Sequence, residues 1–407
     1  VRTLFITSNN VPHSRVSGGQ AATLAVLRSY ARLGSVSLVA VGEETERDKP
    51  LGELTSLCTD VQIVRTKLLF ARHRLSHAIT AGLALATGRS FKIAKFQDRR
   101  LGAILRRRAA DERAWDIVHF DSLAMGSYAR LFSGTFRVLL EHNVEWEIFE
   151  RYAMSQPFPF NHLAALEAKR LRRAELQIAG NVDHIMTLSE RDAQILRDAD
   201  CSTPTSTIPI PPGEVALTPA RDRRRPFILS LGNLTNVGRQ HGTVWFAEKV
   251  WPAVRHAIPN AEWHIVGGNP SPVVQNLNGK IGIQVHGFVE DLTPITDKAR
   301  VCVVPLFAAG GIRIKILDML ALGIPCVATK IGAQGIDVTD HEDILLADSP
   351  ADFAAAVVAV LTDDELHRRI AQNGHELVQR RYSSAALDAA IEQVMSMAPA
   401  AHLATLP

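Results

Sequence analysis

The chemically densest stretch of the sequence lies at 305–320. A strand pattern ends at Pro305, the run Phe307-Ala308-Ala309-Gly310-Gly311 follows, and a helix pattern then carries Arg313, Lys315 and Asp318. Glycines let backbone amides approach a ligand, a helix amino terminus favours an anion, and two cations add charge. Together they suit a diphosphate. Lys315 and Asp318 are three residues apart and share a helix face. There Asp318 would accept hydrogen bonds from ribose hydroxyls, although an exposed Lys–Asp pair has the same spacing. Two more polar runs follow strand patterns. Ser17-Gly18-Gly19-Gln20 opens a helix after the first strand and reads as an anion loop or a plain turn. Glu141-His142-Asn143 closes a later strand and reads as a catalytic histidine or a helix cap.

Other chemistries lack their motifs. There is no G-x-x-x-x-G-K-[ST] and no G-x-G-x-x-G, so P-loop and dinucleotide readings fall away. Cys58, Cys201, Cys302 and Cys326 are far apart, form no C-x-x-C, and read as buried small hydrophobes. No metal and no cofactor is expected.

These loops need rigid elements to hold them. Short apolar runs at 4–7, 37–41, 117–120, 137–141 and 184–188 read as strands, with a helix at 20–33 and others between. That rhythm predicts an α/β fold, a parallel sheet covered by helices on both faces. Ile208-Pro209-Ile210-Pro211-Pro212-Gly213 then breaks it, and the charged run 221–225 extends the break. The rhythm restarts with strands at 227–231, 262–266, 284–286, 301–305 and 325–329. Helices are expected at 243–256, 312–322, 350–361 and 364–380. The expected organisation is a first domain at 1–210, a linker at 211–226, a second domain at 227–380, and a tail at 381–407 that crosses back to the first.

The 407 residues are 46% hydrophobic and 21% charged, which excludes wholesale disorder. The net charge of +3 gives no ground for a nucleic-acid partner. It is unevenly spread: 64–113 holds thirteen Lys/Arg against three acids, interleaved with apolar residues such as Phe91, Phe96, Leu101, Ile104 and Leu105. Such a stretch reads either as a surface for an anionic membrane or as a solvated helical face. The chain opens on a strand pattern, without the apolar core of a signal peptide, and no run approaches the twenty apolar residues of a membrane span. A cytoplasmic protein is expected.

The run VVPLFAAGGIRIKILDMLALGIPCVATKIGAQGI at 303–336 resembles the nucleotide-sugar segment of GT-B glycosyltransferases, specifically glycosyltransferase family 4 of the exopolysaccharide and lipopolysaccharide type. Other pieces resemble that family in the same order. They are Ser17-Gly18-Gly19, Leu140-Glu141-His142-Asn143, Leu188-Ser189-Glu190, the hinge at 208–213, Leu231-Gly232-Asn233, and His286-Gly287-Phe288-Val289-Glu290-Asp291. The resemblance spans 1–382 and is most specific in the last third. It implies two Rossmann-like domains facing across a cleft, and a retaining, metal-independent hexosyltransferase. The donor would be a nucleotide-diphosphate sugar, UDP-sugar before GDP-mannose, and the acceptor a saccharide or lipid-linked saccharide.

On that resemblance Arg313, Lys315 and the amides of Gly18, Gly19, Gly310 and Gly311 would stabilise the leaving diphosphate. His142 would sit by the transferred sugar, Asp318 would take the ribose, and Arg239, in the loop after Gly232, would reach the phosphates. Asp198-Ala199-Asp200 matches the D-x-D of a different glycosyltransferase fold but lies at a helix end. The chain departs from the family pattern at Asp318 and Gln334, where acidic Glu is usual, and at Pro211, where Asn is usual. Those departures leave open a non-catalytic GT-B scaffold that binds nucleotide within a polysaccharide machine.

Overall fold

A computed structural model describes residues 1–8, 18–42, 52–65, 82, 84, 86–111, 114–213, 225–232, 234, 237–307 and 310–399, apart from the side chains of 155 and 237. The chain divides into two compact units, 1–210 with 384–407, and 211–383.

The first unit is built on seven strands: β1 (Arg2–Thr7), β2 (Ser35–Gly42), β3 (Asp60–Arg65), β4 (Ile117–Asp121), β5 (Phe136–Glu141), β6 (His184–Thr187) and β7 (Thr205–Thr207). They pair in parallel in the order β3-β2-β1-β4-β5-β6-β7. In β1 every residue from Thr3 to Thr7 is buried, as expected of a central strand covered on both faces. The helices are α1 (Gly18–Leu33), α2 (Gly52–Leu57), α3 (Phe91–Ala94), α4 (Arg99–Ala109), α5 (Leu123–Gly126), α6 (Glu145–Ser155), α7 (Phe160–Ala179) and α8 (Glu190–Asp198). Side-chain caps start several of them: Asp98 accepts the amides of Arg100 and Leu101 at α4, and Ser189 that of Asp192 at α8.

The second unit holds β8 (Phe227–Leu231), β9 (Glu262–Val266), β10 (Ile283–Gly287), β11 (Val301–Val304), β12 (Cys326–Ala328) and β13 (Leu345–Leu346), again all parallel, in the order β10-β9-β8-β11-β12-β13. Its helices are α9 (Val237–Trp245), α10 (Trp251–Ala257), α11 (Pro272–Gln275), α12 (Thr293–Thr296), α13 (Ile314–Ala321), α14 (Pro350–Thr362) and α15 (Asp364–Arg381). The last helix, α16 (Ser384–Met395), returns to the first unit and packs on α1. Ser29 and Arg32 both donate to Asp388 there, each at 2.5 Å.

The structure departs from the sequence reading in several elements. The helix expected at 243–256 is α9, a five-residue π-helical segment (Phe246–Val250) and α10. Pro252 has no amide to donate, so the ladder must reset just before it. Strand β3 was not foreseen because it is a half-exposed edge with a polar sequence. In the basic segment 64–113, residues 66–81, 83, 85, 112 and 113 lie outside the described residues. Within the rest, Leu101 and Leu105 are fully buried and Phe96 and Ile104 pack against the core. Leu101 and Leu105 therefore face the core. Among the described residues no helix is long and apolar enough to cross one.

Candidate functional site

In a parallel sheet, the crevice for a ligand opens at the carboxyl ends of the two strands whose crossovers diverge. The second unit diverges between β8 and β11. A small cavity of about 30 Å³ marks this place, walled by Ser230, Leu231, Val304, Pro305, Arg239 and Thr243 among others. Arg239 donates to the Leu231 carbonyl at 2.9 Å. A Cβ on Gly232 would fall 1.9 Å from the Arg239 guanidinium, so Gly232 is required for Arg239 to lie against the strand end. Gly242 on α9 plays the same part for the opposite strand, since its Cβ would meet the Pro305 carbonyl at 1.6 Å.

From Pro305 the chain enters the glycine loop, of which Ala308 and Ala309 lie outside the described residues. Thr329, just after β12, clamps its start: Thr329 Oγ1 accepts the Leu306 amide at 3.2 Å and donates back to the Leu306 carbonyl. Arg313 is buried and turns into its own loop, donating to the carbonyls of Gly310 (2.5 Å) and Gly311 (2.8 Å). Its observed contacts therefore brace the loop. Helix α13 then begins without a side-chain cap and without an acid in its first turn, which leaves its amino terminus suited to an anion.

Lys315 is half exposed beside that terminus, with Nζ 3.1 Å from Asp318 Oδ2. Asp318 is buried, and its other oxygen accepts the Gly213 amide at 2.7 Å. The carboxylate thus ties the inter-unit linker to α13. Gln334 is half-buried in the turn after Thr329, and Phe288 is exposed after β10.

The first unit diverges between β1 and β4, and a buried carboxylate lies at that point. Asp121 ends β4 with no solvent exposure. It accepts from Thr7 (2.6 Å) at the end of β1, from Thr23 (2.7 Å) on α1, and stands 2.8 Å from His142 Nε2. His142 follows β5, and α1, whose first residues are Gly18 and Gly19, is anchored to the same carboxylate through Thr23. Burial opposes a charge on His142, but the Asp121 carboxylate outweighs it and raises the histidine above its usual range. Burial likewise opposes ionisation of Asp121, yet the imidazole beside it and its hydrogen bonds keep its carboxyl below the usual range. The two directions agree on an imidazolium–carboxylate pair.

Around the pair, burial depresses His119 to about 4. Burial with repulsion from Glu175 and Glu145 pushes Glu141 well above the carboxylate range, and burial with repulsion from Glu145 does the same to Glu175. Asp121 thus favours the charged form of His142 at this strand end.

In the first unit Asp121 joins His142 to the helix that Gly18 and Gly19 open. In the second, Gly232 adjoins Arg239, Arg313 binds Gly310 and Gly311, and Lys315 pairs with Asp318. Asp121, Thr7, Thr23 and Thr329 were missed by the sequence reading. Asp121 follows a strand pattern at 117–120, as Glu141-His142 follows its own, so the strand-end rule was enough to find it. Asp198 accepts from the Gln194 side chain at the end of α8, and among the described residues no group of His, Cys, Asp and Glu is arranged to hold a metal.

Comparison with known proteins places these features in a family context. Residues 225–363 match the family model described as glycosyl transferases group 1. An uncharacterized 44.6 kDa protein in the cps region of Klebsiella pneumoniae is 24% identical over 165 residues, which span 39% of this chain and 42% of that relative. Among solved structures, a sucrose-phosphate synthase from Thermosynechococcus elongatus superimposes with a TM-score of 0.73 at 18% identity, over 98% of this chain and 99% of that one. HepE of Anabaena in complex with UDP-glucose does so with a TM-score of 0.66 at 12% identity, over 97% and 99%. The chain has the GT-B fold, and its residues 225–363 form a group 1 glycosyltransferase domain.

Proposed function

We propose that this protein is a retaining, metal-independent hexosyltransferase of family 4. It would move a hexose from a nucleotide-diphosphate sugar to a saccharide or lipid-linked saccharide during cell-surface polysaccharide synthesis, at the cytoplasmic face of a membrane. One observation carries the reading. Within the group 1 domain, a glycine loop, an uncapped helix amino terminus and Lys315 meet at the strand divergence. That combination stabilises a departing diphosphate, the charge that develops as the glycosidic bond breaks. A UDP-sugar is favoured over GDP-mannose because a fold relative was solved with UDP-glucose.

In this reading Lys315, the loop amides and α13 bind the diphosphate, with Arg313 holding the loop in shape and Gly18 and Gly19 adding amides from α1. His142, whose charged form Asp121 favours and whose Nε2 it engages, would offer the sugar its other ring N–H. It would orient the hexose as oxocarbenium character develops, and would not act as a base. Arg239 is a second cation near the phosphates, and Asp318 would reach the ribose only by exchanging a present partner.

The test is calorimetric titration with UDP, UDP-glucose and GDP-mannose, followed by UDP release in the presence of membrane extract. Donor binding with turnover is expected, with affinity falling roughly 10–100-fold in Lys315→Ala. No binding of any nucleotide sugar would sink the reading. A second reading, a nucleotide-binding scaffold without catalysis, is favoured by Asp318, whose oxygens are engaged by Gly213 and Lys315. Tight binding with no turnover would select it.

A further inference from the structure

Of the eleven large apolar side chains exposed among the described residues, six lie on one helical hairpin of the first unit. Tyr152 and Met154 end α6, Phe158 is in the turn, and Phe160, Leu163 and Leu166 occupy the first half of α7. Met154 is 87% exposed and Phe158 77%. An apolar group this concentrated marks a contact surface. The hairpin is firmly rooted, because Glu175 on α7 accepts the amides of Glu145 (3.1 Å) and Trp146 (3.4 Å) that open α6. From that level α6 climbs eleven residues, so the tip stands roughly 16 Å beyond it.

The chain just behind the tip is basic. Lys169, Arg170, Arg172 and Arg173 follow Leu166 within two turns of α7. Lys169 and Arg172 border an apolar groove of about 590 Å³ beside Met154, in which Glu150 is the one carboxylate among the described residues. Arg170 and Arg173 border a more polar groove of about 340 Å³, together with Arg89 and Arg130. Ile93 and Ile178 lie in its wall, which contains no carboxylate among the described residues. Of the two acids nearest in sequence, Glu175 accepts the amides that open α6, and one oxygen of Glu167 accepts the Ser90 hydroxyl at 2.7 Å and the Lys92 amide at 3.0 Å.

We propose that this α6–α7 hairpin docks the first unit onto an anionic phospholipid surface. The apolar tip enters the interface, and the basic band with its four-arginine groove takes the headgroup phosphates. The dimensions agree. Phe160 to Leu166 spans about 10 Å along the helix, near the 5–10 Å that interfacial elements penetrate, and the cations begin one turn later. Arginine forks match phosphate oxygens in pairs. A second copy of the chain is a poorer occupant, because two such bands would repel. The inference deepens the lipid-linked acceptor of the proposed function and rests on that reading for its purpose. Its test uses neither donor nor acceptor, so either can fail alone.

The test is flotation of the full chain with phosphatidylcholine vesicles, alone and with about 30% phosphatidylglycerol. Binding is expected only to the anionic vesicles, and should weaken with added salt. Met154→Ser/Phe158→Ser/Phe160→Ser should lower partitioning at least about tenfold. Arg170→Gln/Arg173→Gln should lower it about fivefold per charge. Both variants should keep the parent's melting temperature and UDP affinity. The proposal is overturned by absence of vesicle binding, by binding indifferent to the tip variant, or by self-association that the tip variant abolishes. Pyrophosphate binding lost in the arginine variant without any vesicle binding also overturns it, and reassigns the groove to a free phosphate.

Discussion

Asp121 decides the charge of His142, so the pair is best tested at the carboxylate. Replacing Asp121 with Asn removes the charge that holds the histidine protonated and leaves Thr7 and Thr23 with a poorer acceptor. We expect turnover to fall about 100-fold with nearly unchanged UDP affinity, since the donor-loop groups lie in the other unit. The His142 ring should titrate lower by NMR, and an unmoved titration would show that Asp121 does not set its charge. Stability follows the same pair. His142 has a raised value in the folded state, so its contribution is complete below about 6.5 and fades as pH rises through the folded value. Asp121 has a depressed one, so its contribution is present above about 4 and is lost as pH falls. The pair therefore stabilises most at mildly acidic pH. Denaturant midpoints measured across pH should show this window in the parent chain and a flatter profile in Asp121→Asn.

At the scale of elements, each candidate site sits where the strand order of its own sheet diverges, and in the second unit glycine contacts keep the strand ends close. Gly242→Ala would press a methyl group into the Pro305 carbonyl, a backbone atom with little freedom to move. The expected cost is about 2 kcal/mol, or roughly 6 °C in the melting temperature of the second unit. UDP should also bind more weakly, because Pro305 leads into the glycine loop. Calorimetry of the variant with and without UDP checks both effects. Central strands were legible in the sequence because burial on both faces writes a continuous apolar run, as in 4–7 and 227–231. Edge strands β3, β7 and β13 were not, since half-exposed or very short segments carry no such run. Among site residues, the glycine loop and His142 were legible from position alone. Asp121 was legible by the same strand-end rule but was passed over, and the inward turn of Arg313 is a packing outcome that residue type does not announce. The basic segment 64–113 shows the same limit. Its charge was countable, but only the fold shows that Leu101 and Leu105 face the core while the exposed apolar group is on α6 and α7.

On the scale of the whole chain, the first unit is closed by a helix made last. α16 buries Leu387, Ile391 and Val394 almost completely and ties Asp388 to Ser29 and Arg32 of α1. Helix α1 in turn supplies Thr23 to Asp121 and presents Gly18 and Gly19 at its amino terminus. The carboxyl-terminal segment is therefore linked to the His142 strand end through a single helix, although its own residues include none of the proposed site. Ending the chain after Ser383 would expose the α1 face that these three aliphatic residues cover, at about 1.5–3 kcal/mol for each. That is comparable to much of a domain's net stability. The second unit, 211–383, keeps all of its own elements in that truncation. The expected result is a calorimetric trace in which one transition falls or disappears while the other persists and still shifts upward with UDP. Donor binding should survive and hexose transfer should not. A truncated chain that transfers sugar at the parent rate would show that α16 does not hold the His142 end of the first unit in place.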